Sequence, residues 1–340
     1  GIERPFWETD QNGIEAGGWG LYIKTMDLAK VMTCYLHEGK YKNKQVLPKE
    51  WVKEATVNQL GDIKMPSKDK DCCAGYGYCI WMDDTEPYSY RADGMFSQFG
   101  INFPSLDATI ISTAAIPCED EARAAIWAFF PAAFADEDGS GVEVDTSSVN
   151  RPVASKHSVT ESRLIGKTIK VRKKILLNII GMPVSMLPLA VTFMMSDRAG
   201  NIDNIKFNFG DHECDMTWDE GDERNTVCCG MDGRYRYGTM TLGKIKFKVC
   251  ANAEWIDDIN LKVMVRPVET VGMRTLNFLF RRNNKVTITP ASTPSTYKIF
   301  DTHSRSFTEI IKNPLLSKIC QKAIQIAPPL AEPKHYGKIV

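Results

Sequence analysis

The sequence predicts an α+β chain: an antiparallel sheet flanked by helices over residues 1–134, a linker over 135–162, and an antiparallel β-sandwich or partly open barrel over 163–330. Three observations predict it. Helical spacing of apolar residues is confined to short runs near residues 25–55 and 119–134, a hairpin-like apolar run occupies residues 90–113, and period-two alternation recurs after residue 200. At 340 residues the chain exceeds what one hydrophobic core usually serves.

The elements follow in order. Gly17-Gly18-Trp19-Gly20-Leu21-Tyr22-Ile23 reads as a glycine-loosened apolar strand. Next comes a helix in which Thr25 suits the N-cap, Asp27 the first turn, and Leu28, Val31, Met32, Tyr35 and Leu36 an apolar stripe, with Gly39 ending it. A second helix begins at Pro48, since proline is tolerated at a first helical position, and residues 75–81, GYGYCIW, read as a strand. Residues 90–113, YRADGMFSQFGINFPSLDATIIST, read as two apolar strands joined at Pro104-Ser105. Within them Gly94 and Gly100 bracket Met95-Phe96-Ser97-Gln98-Phe99, and glycine at both ends lets the backbone bend and a ligand approach closely. Such a strand edge can offer N–H groups to a developing oxyanion; an ordinary hairpin is the plain alternative. Residues 119–134 read as a helix packing on this sheet, and residues 135–162, rich in Asp, Gly, Ser and Val without period, as a linker.

Beyond the linker, Ile205, Phe207 and Phe209 alternate with Lys206 and Asn208, and Ile245, Phe247 and Val249 with lysines. Leu261, Val263 and Val265, then Leu276, Phe278 and Phe280, then Val286 and Ile288 repeat the pattern, which describes an antiparallel sheet with one wet face. Met231-Asp232-Gly233 and Arg282-Asn283-Asn284-Lys285 supply turns, and residues 307–326 read as a closing helix. Trp218, Trp255, Tyr235 and Tyr237 either line a pocket or fill the core, the commoner place for aromatics in a sheet. His212, beside Glu213 and Asp215, lacks a second histidine in its sequence neighbourhood and reads as a solvated turn rather than a metal ligand.

Composition narrows the function classes. Lys+Arg and Asp+Glu balance at 42 each, so no basic surplus argues for nucleic acid. The ten cysteines include two adjacent pairs and no C-x-x-C, which fits free thiols in a reducing cytoplasm, with a disulfide-bearing secreted protein as the alternative. Residues 175–195 are apolar enough for a membrane span, but Pro183, Pro188 and Gly181 fit two short buried strands and their connection better, so no membrane span is expected.

The phrases GGWGLYIKTMDLAKV, VLPKEWVKEAT, GYGYCIW and ADGMFSQFG, in that order, resemble the C-terminal half of the catalytic domain of penicillin-recognising serine hydrolases. Within that class they look closest to the class C β-lactamase-related, 6-aminohexanoate-dimer hydrolase branch. The resemblance covers residues 1–134 and rests on four phrases in order. It implies a β-lactamase-like fold, with acyl transfer through a serine of an S-x-x-K motif, protons moved by its lysine and by the tyrosine of a Y-x-N motif, and no metal or other cofactor. The resemblance places Ala92-Asp93-Gly94 at the third motif, usually K-T-G or H-x-G. The Met95 N–H becomes an oxyanion donor beside Gly94, while Ala92, Asp93, Phe96 and Gln98 face the substrate. Ala92 replaces the usual cation, which disfavours a β-lactam carboxylate and favours a small amide or ester.

Literal matches to the other motifs exist. Ser67-x-x-Lys70 and Ser295-x-x-Lys298 spell S-x-x-K, and Tyr41-x-Asn43 spells Y-x-N. A nucleophilic serine of this kind must open a buried helix so that its lysine, one turn on, points into the same cleft. Ser67 lies in a charged loop, Ser295 follows two prolines, and Tyr41 sits in a polar turn, so none fits. The expectation is therefore a fragment whose nucleophile and base precede Gly1 in a missing N-terminal half that is also its natural partner. A C-terminal β domain of this kind is often attached to bacterial serine hydrolases. The alternative is a non-catalytic binding or interaction protein that keeps the cleft.

Overall fold

The computed structural model describes residues 1–3, 5–10, 12–18, 20–61, 74–130, 133, 153–172, 185–188, 201–299, 318, 319, 322 and 332–340. The chain divides into two compact units, Gly1–Val142 and Glu143–Val340.

Unit 1 holds strands β1 (Phe6–Trp7) and β2 (Leu21–Tyr22), helix α1 (Thr25–Leu36), the hairpin β3 (Lys40–Tyr41) and β4 (Lys44–Gln45), and helix α2 (Lys49–Ala55). A four-stranded antiparallel sheet follows in the order β5 (Trp81–Met82), β6 (Tyr90–Gly94), β7 (Gln98–Phe103), β8 (Ala108–Ser112), and then helix α3 (Glu119–Trp127). Alternation along the strands gives the sheet two apolar faces. Met82, Tyr90, Ala92 and Ile111 cluster with Leu28, Met32 and Tyr35 of α1. Phe99, Ile101 and Phe103 cluster with Ala122, Ile126 and Trp127 of α3.

Two local expectations change. Lys24, not Thr25, occupies the N-cap position of α1, and the Thr25 hydroxyl lies 3.1 Å from that of Thr113 instead of capping the helix. Residues 75–80 are not a strand: Gly77 N–H donates to Ile80 O, and a Cβ on Gly77 would sit 2.1 Å from Ala55 O, so a glycine turn packs where an extended run was expected.

Unit 2 is the larger departure. It contains helix α4 (Glu161–Leu164) and strands β9 (Ile169–Val171), β10 (Ile202–Phe209), β11 (Glu213–Glu220), β12 (Glu223–Gly230), β13 (Arg236–Leu242), β14 (Ile245–Trp255), β15 (Asn260–Pro267), β16 (Met273–Phe280), β17 (Lys285–Thr293) and β18 (His335–Ile339). The strands pair in the order β12-β11-β10-β9-β18-β17-β16-β15-β14, with β13 laid against the last. A parallel bridge between Gly230 and Asn252 joins β12 to β14 and closes the ring.

The α+β hydrolase fold expected for the chain is thereby corrected. The protein is mostly β, 41% strand against 17% helix, and is dominated by a closed nine-strand barrel rather than by a sheet flanked by helices. The reason is length and register. Seven of the nine ring strands, β10–β12 and β14–β17, are eight to eleven residues long and keep one period-two face inward, the short β9 and β18 complete the ring, and a closed ring leaves no edge to expose. The sandwich or open barrel expected for unit 2 gives way to closure for a local reason. A Cβ at Gly230 would lie 1.9 Å from Arg234 O, so only glycine lets the chain double back past Arg234 at the end of β12, the position that bridges Asn252 of β14. Beside that bridge the seam between β12 and β13 is stitched by side chains. The Asn225 carboxamide donates to Thr241 O (2.8 Å) and accepts Thr241 N–H (2.7 Å), standing in for a strand backbone.

Inward side chains including Trp218, Phe247, Trp255, Phe278 and Phe280 form one continuous core. The aromatics divide accordingly: both tryptophans are core, whereas Tyr235 and Tyr237 are exposed. Residues 158–164 close one end. Ser158 and Thr160 hydroxyls donate to Asp258 O, Ser158 N–H reaches back to Glu161 Oε1 as in a capping box, Trp255 Nε1 donates to the same carboxylate at 2.7 Å, and Leu164 enters the core. The expected closing helix at 307–326 lies outside the described residues apart from Lys318, Ile319 and Lys322, as do most of the apolar stretch 175–195 and the linker residues 135–152. Among the described residues no helix is long and apolar enough to cross a membrane.

Candidate functional site

The β6–β7 hairpin carries every residue singled out for the site. β5 pairs only with Tyr90 and Arg91, so Ala92, Asp93 and Gly94 run past its end with that edge of β6 uncovered by a strand among the described residues. The loop Met95-Phe96-Ser97 joins Gly94 to its partner Gln98, with Phe96 and Ser97 at φ 63° and 69°. These two residues, not Gly94, take up the left-handed backbone. A Cβ on Gly94 would lie 3.2 Å from Gln98 Cβ and 3.6 Å from Gln98 O, a tight but not forbidden approach.

Strain at two non-glycine residues requires the surroundings to fix the turn. Phe96 is buried, its N–H donates to Glu119 Oε1 at 2.9 Å, and its carbonyl accepts Ile116 N–H. The Ser97 hydroxyl donates to Ile116 O, and the Gln98 carboxamide donates to Ala114 O (2.6 Å) and accepts Ala114 N–H. Phe96 and Gln98, expected to face substrate, thus hold the turn. Ala92 packs toward α1 in the apolar cluster. Met95 projects outward, 53% exposed, and its N–H finds no acceptor among the hydrogen bonds of the described turns.

Beneath the edge lies a buried charge network. Arg91, 1% exposed, pairs with Asp83 through Nη1 and with Asp93 through Nε at 2.8 Å. Asp83 also accepts the Ser89 hydroxyl at 2.8 Å. From α3, Arg123 reaches Asp93 Oδ2 at 3.4 Å and pairs with Asp120. Asp93 is therefore committed to two guanidinium groups. Such a network is costly to desolvate and costlier to break, which suits it to fixing the strand. Burial pushes the Tyr90 phenol up to about 12, and its oxygen accepts from Asn102, so it cannot serve as a base near neutrality.

The literal motif matches fall away on position. Lys298 N–H donates to Ser295 Oγ, making that serine a cap at the surface. Tyr41 borders the two-residue turn Lys42-Asn43, both with positive φ. Ser67 lies outside the described residues. His212 does gain a neighbour the sequence could not show, since His157 Nε2 lies 3.1 Å from Asp211 O while His212 Nδ1 lies 3.0 Å from Ser155 Oγ. That serine meets Nδ1 on an exposed turn, unlike a nucleophile activated through Nε2. No group of three potential metal ligands exists among the described residues.

Sequence reasoning missed a polar cluster inside the barrel. Glu220 is fully buried and accepts the N–H groups of Met186 (3.1 Å) and of the Trp218 indole (3.0 Å). Burial, outweighing these bonds and the nearby Arg274, pushes its carboxyl up to about 7. Arg274 donates to Ser185 O, Leu187 O and Ser292 Oγ and pairs with Glu332. The segment 185–188 is thus clamped by a carboxylate on its N–H side and a guanidinium on its carbonyls. The signal was present: Glu220 falls in phase with Cys214, Met216 and Trp218, and Arg274 with Leu276, Phe278 and Phe280, charged residues at inward positions.

Comparison with protein-family models and with curated proteins gives no match to either.

Proposed function

We propose that unit 1 is the acyl-binding part of a serine acyl-hydrolase acting on a small amide or ester, carried together with a barrel module. The reading is supported chiefly by the open edge of β6 at Ala92, Asp93 and Gly94, which ends on the outward Met95. A carbonyl laid along that edge meets the Met95 amide, held in place by a turn that Glu119, Ser97 and Gln98 fix before any substrate arrives. Ala92 offers no cation, which favours a substrate without a carboxylate at that position. Ser295, the S-x-x-K serine that lies among the described residues, is spent as a surface cap on the Lys298 N–H, so this reading assigns its nucleophile and base to a polypeptide outside these residues.

That same observation favours the second reading, a binding or interaction protein that keeps the edge without the chemistry. The two separate in one experiment. Purified protein is incubated with a chromogenic ester and a fluorophosphonate probe, alone and after addition of a polypeptide carrying S-x-x-K and Y-x-N from the same gene. Turnover with covalent labelling of the added polypeptide supports the hydrolase; binding of an ester without turnover in both conditions supports the second reading.

A further inference from the structure

The pairing of β11 with β12 sets Cys214 directly opposite Cys229, and both side chains face the barrel interior at 1% and 0% exposure. Directly opposed residues of an antiparallel pair have Cα atoms about 4.5–5.5 Å apart, inside the range a disulfide spans. The other nearby thiols are badly placed. Cys228 alternates to the opposite face and pairs with Asp215, while Cys250 stands on β14 opposite Tyr237 and Arg266.

The hairpin that carries the pair is local. Glu220 and Glu223 flank a two-residue turn, Gly221-Asp222, with Gly221 at φ 60°, so β11 and β12 meet without waiting for distant strands. Hairpins form in about 1–10 μs, whereas disulfides form over seconds to hours. The thiols are therefore side by side before oxidation, and buried after the ring closes at Gly230.

We infer that Cys214 and Cys229 are a disulfide-forming pair, oxidised by a low-molecular-weight disulfide such as glutathione disulfide while the hairpin is still open, and shielded as two thiols when the barrel closes under reducing conditions. One cysteine thiolate attacks glutathione disulfide, forming a mixed disulfide and releasing one glutathione thiolate. The second cysteine thiolate then attacks the protein sulfur of that mixed disulfide and releases the other glutathione. The two cysteines together lose two electrons and two protons, and glutathione disulfide becomes two glutathione thiols. In the closed barrel the contact with Cys214 and burial hold the Cys229 thiol well above its ordinary pKa, which removes the thiolate that exchange requires.

The test refolds the full chain from denaturant, either with dithiothreitol or with a mixture of reduced and oxidised glutathione. The expected results under oxidising conditions are a mass about 2 Da lower, a peptide linking Cys214 to Cys229, and a barrel transition raised by about 5 °C. Protein folded reduced and then held with glutathione disulfide keeps both thiols. Cys228→Ala keeps the link, and Cys214→Ala abolishes it while still folding reduced. A folded barrel with both thiols free after oxidative refolding overturns the inference, as does a link through Cys228 or Cys250. Rapid oxidation of the pre-folded protein overturns the shielding.

Discussion

Phe96, buried at the tip of the β6–β7 turn with a left-handed backbone, donates its N–H to Glu119 Oε1 at 2.9 Å, tying the proposed acyl-binding edge to the first turn of α3. A non-glycine residue at positive φ persists only where its surroundings outweigh the strain, and a charged acceptor on a buried donor is among the stronger restraints.

Glu119→Ala should therefore leave the Phe96 N–H without its acceptor and cost unit 1 about 1–3 kcal/mol. Hydrogen exchange at the Phe96 amide should speed up by roughly 10-fold or more, by the same free energy, with Glu119→Gln intermediate. Unchanged exchange in Glu119→Ala would show that Ser97 and Gln98 suffice to hold the turn.

The role of Met95 is tested through its backbone. Met95→Ala keeps the N–H and removes only an exposed side chain, so a competent hydrolase assembly should lose little turnover. Met95→Pro deletes the donor, and because Gly94 ends a β-strand it already suits a residue preceding proline. The expected loss is on the order of 100-fold in kcat with folding intact. Equal turnover by the two variants would return this hairpin to a purely structural role.

How much of this was legible follows from range. The period-two runs from Ile205 to Ile288 announced strands, because alternation is local. Closure was not, since it depends on one bridge between Gly230 and Asn252 and on the short strands β9 and β18 at opposite ends of the unit. In the hairpin, Gly94 and Gly100 bracket the turn, yet the strained positions are Phe96 and Ser97. Nothing in a residue's name reveals that a distant Glu119 will stabilise such a backbone. Glu220 and Arg274 are legible in phase as charged residues at inward positions, but their partners, Ser185 and Glu332, lie far away in sequence.

The Asn225 stitch gives a direct test of the seam. Its carboxamide satisfies both backbone groups of Thr241, so Asn225→Ala leaves a donor and an acceptor bare and should cost about 2–3 kcal/mol. Asn225→Asp keeps the acceptor for Thr241 N–H but sets a carboxylate against Thr241 O, and should be at least as damaging above neutral pH. Urea melts of the barrel transition give the ordering, and a wild-type midpoint for Asn225→Ala would mean that the seam is held by the core instead.

Glu220 makes the stability of the barrel depend on pH, with a definite sign. Its folded carboxyl titrates at about 7, above the ordinary 4.5, so the folded state binds the proton more tightly than the unfolded chain. The stabilisation from that proton is complete below about pH 4.5 and is lost as pH rises through about 7. A gap of this size corresponds to roughly 3 kcal/mol between the two ends of the window. Glu220→Gln keeps an acceptor for the Met186 and Trp218 N–H groups but cannot ionise, so its barrel should melt with little slope between pH 5 and 8, and above pH 7.5 it should be more stable than wild type. Melting temperatures at half-unit pH intervals decide it. A wild-type slope that survives in Glu220→Gln would assign the titration to another group, and a variant less stable at every pH would mean that the charged carboxylate facing Arg274 outweighs its desolvation.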